Sequence, residues 1–148
     1  MSSDESGRRS DQESGDDRRS QAREYALSAL YEARTKGIEP RDVLDGFVVP
    51  PDPLVRVLVE GVADHERDID ELIARYATGW SLERMPTLDL LILRLATFEL
   101  CNRPDVPVAV AIDEAVELAK RFSTDDSGRF INGVLASVAR DVRPTTPN

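Results

Sequence analysis

Cysteine, histidine, aromatic residues and strand-like alternation are all scarce in this chain. Among 148 residues there is one cysteine, Cys101, and one histidine, His65. A single cysteine excludes an intramolecular disulfide and any cluster of thiolate metal ligands. It has no histidine close in sequence to activate it, and it is expected to be a buried, inert thiol. His65 is followed by Glu66 but lacks the second histidine four residues along that zinc hydrolases need, and it reads as a helix-surface side chain. Asp68 and Asp70 have the spacing of a calcium loop, but the glycine and closing glutamate of such a loop are missing. Neither a glycine-rich phosphate loop nor a nucleophile elbow is present, so the expectation is a non-enzyme with no metal and no cofactor. No apolar run approaches the roughly 20 residues of a membrane-spanning helix, and the polar N-terminus has no signal-like apolar stretch. The expected setting is therefore the cytoplasm, without membrane association.

What is present suits helices. Apolar residues make up 41% of the chain and aromatics only 5%, so the core must be built from Leu, Val, Ile and Ala. The net charge of −9 counts against nucleic acid as a partner, because phosphate contacts supply most non-specific affinity. Residues 1–20 hold no Leu, Val, Ile or aromatic side chain and are read as a disordered acidic and basic tail ending at Arg18–Arg19. A first helix is expected from about Gln21 to Lys36, with Gly37 as its C-terminal cap and Ala22, Ala26, Leu30 and Ala33 on its core stripe. A short helix or turn follows around Arg41–Leu44, and Pro50, Pro51 and Pro53 then exclude regular structure.

Pro53 opens a long helix expected to reach about Ala77, with Asp64–Glu71 as its solvated acidic face. Gly79–Trp80 marks the border between an N-terminal half, 21–78, and a C-terminal half, 79–143. Leu88–Cys101 is apolar almost all round, as a central buried helix should be. Two further helices are expected, from Pro107 to Phe122 and, capped by Asp125–Asp126, to about Arg140. Asn132–Gly133 inside the last one is read as a site of close helix packing, and residues 144–148 as an extended tail. The fold class is all-α: two antiparallel three-helix-type bundles sharing a core, with about seven helices.

Four segments carry a resemblance, in order: Arg23–Tyr31, Ile92–Leu100, Val106–Phe122 and Asp126–Leu135. Together they resemble the NusB family of transcription antitermination proteins, over about Arg18 to Arg143. The resemblance implies binding of the boxA element of nascent ribosomal RNA transcripts together with the small-subunit ribosomal protein NusE, in an RNA polymerase antitermination complex. It also implies site residues. Arg18 and Arg19, with Arg23 at the helix start, correspond to a basic arm that neutralises phosphates. Tyr31 and Tyr76 match family RNA contacts, Tyr31 off the core stripe and Tyr76 on it. Phe130, with Asp126 one turn before it, suits one unstacked base, the ring on its face and the carboxylate accepting from an amine.

The chain departs from many relatives at Leu90, where they carry a basic residue. That removes a phosphate contact and leaves an apolar side chain expected at the surface, where it would favour self-association. The family includes both monomers and homodimers, and both states stay open here. So does a rival reading of the function, an acidic helical protein-interaction module without RNA contact.

Overall fold

The computed structural model describes the backbone of residues 3–144, with side chains from Gly15 onward. Its elements are α1 (Ser3–Lys36), α2 (Pro40–Asp45), α3 (Pro53–Asp64), α4 (Glu66–Tyr76), a 3₁₀ turn (Leu82–Arg84), α5 (Thr87–Asn102), α6 (Val108–Phe122) and α7 (Asp125–Val142). Seven α-helices and no strand are present among the described residues, as the sequence predicts. Of the expected tail at 144–148, residues 145–148 lie outside them.

α5 is the axis of the molecule and touches α1, α3, α4, α6 and α7. Neighbours on every side explain why its sequence is apolar all round, and every residue from Asp89 to Leu100 is buried. The polar exceptions on α5 are mostly answered. Glu99 receives Arg23 of α1, and Arg94 holds Asp70 of α4 with two hydrogen bonds of 2.9 Å. Ionised groups can be taken into a core when they are paired and hydrogen-bonded in this way. At its C-terminus, α5 is closed by Arg143, whose guanidinium donates to the carbonyls of Glu99, Leu100, Arg103 and Val106. These carbonyls include groups left without intrahelical donors.

Gly37, at φ +67, ends α1 as expected. The Ile38 N–H reaches back to the Ala33 carbonyl at 3.0 Å, the closing bond of a left-handed helix terminus.

Several expectations are corrected. α1 does not begin near Gln21 but runs back to Ser3. A helix already nucleated by docking gains one bond per residue added. Pairs at helical spacing, Arg19 to Asp16 at 2.9 Å and Gln21 to Asp17 at 3.3 Å, support the extension. The long helix from Pro53 is two helices, broken at His65 (φ −113, ψ 14). α3 packs on α1 while α4 packs on α7, and one straight rod cannot serve both. The His65 ring also sits 2.9 Å from the Gly61 carbonyl, against the break.

The cap of α7 is Thr124, whose side chain accepts from the Ser127 N–H; Asp125 and Asp126 occupy the first turn instead. Leu90 is buried, so it offers no self-association surface. Gly133 is exposed, and a Cβ there would meet nothing within 4 Å. The close packing expected at Gly133 occurs at Gly61 of α3, where a Cβ would lie 2.1 Å from Phe98 Cζ. Cys101, finally, is exposed; partial desolvation still raises its thiol pKa, with Arg143 opposing.

Candidate functional site

The residues singled out in the sequence fall into separate places. Arg18 and Arg19 project from α1 into solvent, each with a carboxylate partner: Asp52 at 3.1 Å and Asp16 at 2.9 Å. Exposed pairs of this kind are worth about 0–1 kcal/mol, so either arginine can exchange its carboxylate for a phosphate at little cost. Arg19 lines a cleft of about 430 Å³ with Arg103, Asp105 and Glu114, so charges of both signs face it.

Arg23 does not belong to this basic arm. Its side chain is 5% exposed and makes a two-point pair with Glu99, at 2.8 and 3.0 Å. Burial opposes its charge, but the hydrogen bond and charge of Glu99 more than compensate and raise its pKa. Its expected role as a phosphate contact is corrected to that of a tie between α1 and α5, because its donors are engaged inside the core.

Tyr31 is 44% exposed. It lies seven residues beyond Glu24, nearly the same direction around a helix of 3.6 residues per turn. Glu24 receives Arg121 from the end of α6 at 3.0 Å, and the Arg121 guanidinium lies 5.0 Å from the centroid of the exposed Phe122 ring. Tyr31 therefore shares a face of α1 with the contact to the α6 terminus. Tyr76, at the end of α4, is half-buried and donates its hydroxyl to Asp141 of α7, which also receives Arg75 at 3.0 Å. The hydrogen bond to Asp141 raises the tyrosine pKa and, in return, lowers that of the carboxylate.

Phe130 and Asp126 do meet, in a second cleft of about 210 Å³ with Trp80, Met85, Pro86, Asp89 and Ser127. The Phe130 and Trp80 rings stand 6.0 Å apart at an interplanar angle of 56°. Asp126 is at the rim, its side chain 90% exposed and paired with Arg129 at 2.8 Å.

Two members of this cleft were missed in the sequence. Trp80, the only tryptophan, was legible merely as the border between halves. Asp89 was hidden by an apolar pattern, although a carboxylate in the first turn of such a helix was itself the signal. Its Oδ2 accepts from the Ser127 hydroxyl at 2.7 Å.

Exposed rings and arginines stand on a frame of packed helices, and the chain is in class an all-helical protein. The model of the NusB family matches residues 20–140, and the chain belongs to that family. It is 51% identical over 127 residues to the transcription antitermination protein NusB of Saccharopolyspora erythraea, covering 82% of this chain and 86% of that one. Its fold is similar to that of T. maritima NusB, with a TM-score of 0.78 and 34% identity over 85% of this chain and 93% of the other. A structure described as antitermination factors NusB and NusE in complex with dsRNA shares the fold at a TM-score of 0.70 and 24% identity, over 84% and 97% of the two chains.

Proposed function

We propose that this protein is a transcription antitermination factor that binds boxA-type RNA of nascent ribosomal transcripts together with ribosomal protein NusE, within an RNA polymerase complex in the cytoplasm. The observation that carries the proposal is the 51% identity to an antitermination protein across 82% of the chain. The surface geometry is in keeping with it, since Tyr31 is exposed and Phe130 borders an open cleft rather than filling the core. Aromatic faces that stack on bases and arginines that track the backbone are the general means of holding single strands. The assigned contacts are Arg18 and Arg19 on phosphates, and Tyr31, Phe130 and Asp126 on bases. Tyr76 would offer its ring, its hydroxyl being held by Asp141. No described helix is long and apolar enough to cross a membrane.

The charge of −9 favours a basic partner, because the chain alone repels RNA at long range and should bind it weakly and slowly. Two acidic stretches could receive a basic partner, Asp64–Glu71 and Glu114–Glu117; the first is largely committed, since Arg41 holds Asp64 and Arg94 holds Glu66 and Asp70, and in the second Glu114 accepts from Ser20. Asp113 and Glu117 are exposed one turn apart on α6 and carry no ion pair among the described residues. We therefore place the docking face on α6.

The test is a mobility-shift titration of ribosomal leader RNA with intact or scrambled boxA, with NusE present. A shift that requires the intact element supports the proposal. Equal shifts would leave RNA binding without recognition of boxA, and no shift while NusE still binds would leave only the protein-interaction module.

A further inference from the structure

The loop between α2 and α3 holds the most exposed large apolar side chains among the described residues: Val48 is 98% exposed and Val49 75%. Connecting loops are ordinarily built from polar turn formers, whereas this one reads Phe47-Val48-Val49-Pro50-Pro51-Asp52-Pro53. Its shape follows from the prolines. Each fixes its own φ and pushes the residue before it into an extended conformation, so Val49, Pro50 and Asp52 are all constrained. Asp52 conforms, at φ −50 and ψ 137, and its side chain then caps α3 at the Leu54 N–H. Val49–Asp52 is therefore a preformed stretch of polyproline II type. Phe47 anchors the loop edge-on against Tyr25 of α1, the rings 5.3 Å apart at 74°. Tyr25 and Tyr31 are six residues apart, which places them about 120° from each other around the helix, so this flank of α1 is not the one that holds Tyr31. Beside the loop, a cleft of about 600 Å³ opens between Phe47, Pro50, Pro53 and Val57. Residues 39–60 hold five carboxylates and two arginines, so the rim of this surface is acidic.

We propose that the Val48–Asp52 loop docks into a second protein, one that offers an aromatic-lined groove with a basic rim. Rings of that groove pack on Pro50 and Pro51 and reach into the cleft beside Phe47, while Val48 and Val49 fill its apolar floor. Grooves of this kind are a general means of taking polyproline II segments, because a strand already fixed by proline loses little freedom on binding. The basic rim answers the excess of carboxylates, which sets partner choice and encounter rate. None of the four segments that carry the family resemblance includes this loop, and the inference does not rest on the RNA-binding function. A second copy of the chain is a poorer occupant, since it would set one acidic rim against another. The same carboxylates repel RNA.

The experiment puts the photoreactive residue p-benzoylphenylalanine in place of Val48 in the full chain, illuminates it in a lysate of its own cells and identifies the adducts. Capture of one protein should be abolished by an excess of free peptide of residues 45–53. The same peptide with Pro50→Ala and Pro51→Ala should not compete. The captured protein, once purified, should bind the unmodified chain about tenfold or more tightly than the Val48→Asp, Val49→Asp double variant, the value of burying one valine side chain. Both valines are exposed, so that variant should melt with the unmodified protein and keep its affinity for NusE and RNA. An adduct that survives the peptide, or that both peptides abolish alike, overturns the proposal, as does equal affinity for the double variant. A second copy of the chain, NusE or RNA as the sole adduct overturns it in favour of self-association, a wider NusE face or a longer RNA path. Absence of any adduct at Val48 overturns it outright.

Discussion

Arg23 and Glu99 face each other across the α1–α5 contact, side chains 5% and 4% exposed, in a two-point ion pair. Removing one partner of a buried pair strands the other, at a cost of about 3–5 kcal/mol. Arg23→Ala should lower the unfolding free energy by that order in urea denaturation. RNA affinity, measured on the folded fraction, should not change. A stable variant with weakened RNA binding would return Arg23 to the phosphate-binding arm.

The glycines of α3 and α7 should respond in opposite directions. Gly61→Ala drives a methyl group to 2.1 Å from the Phe98 ring, and overpacking of this kind costs about 1–3 kcal/mol or more. Gly133→Ala meets open space on an exposed helical turn and should stabilise by about 1 kcal/mol. Thermal melts of the two variants check both signs.

The link between α4 and α7 through Tyr76 and Asp141 is pH-sensitive at both extremes. Asp141 is held below its ordinary value of 3.8, first by the hydrogen bond from Tyr76, so its contribution is present above that value and lost as pH falls through the lower folded one. Tyr76 is raised above its ordinary value of 10.0, first by that same bond, so its contribution is present below 10.0 and lost as pH rises through the higher folded value. Ultraviolet titration should show Tyr76 ionising late, and Asp141→Asn should bring it down.

Arg18 and Arg19 should act through charge alone. Replacing both with Ala should leave the melting temperature unchanged. It should also flatten the dependence of log K on log salt by about 0.7 for each single-strand phosphate that an arginine no longer neutralises. An unchanged slope would remove them from the interface.

The helical pattern was largely readable because apolar spacing and proline positions are local signals. α5 announced its central place by lacking a polar face, and Ile131, Val134, Leu135 and Val138 of α7 are buried as their spacing requires. The break at His65 was not readable, since the stripe continues through Ile69 and only the different packing partners of α3 and α4 interrupt the helix. Arg23 was misplaced for a related reason. An arginine at a helix start looks solvated until the distant Glu99 is brought beside it. The second cleft was half legible: Phe130 and Asp126 share one helix, whereas Trp80 and Asp89 reach them only through the tertiary fold.

The most direct measurement is a complete set of four affinities at one salt concentration: boxA RNA with and without saturating NusE, and NusE with and without saturating RNA. An acidic chain that needs a basic partner to hold RNA predicts that NusE tightens RNA binding about 5–150-fold and that RNA tightens NusE binding by the same factor. Equal RNA affinity with and without NusE would contradict it.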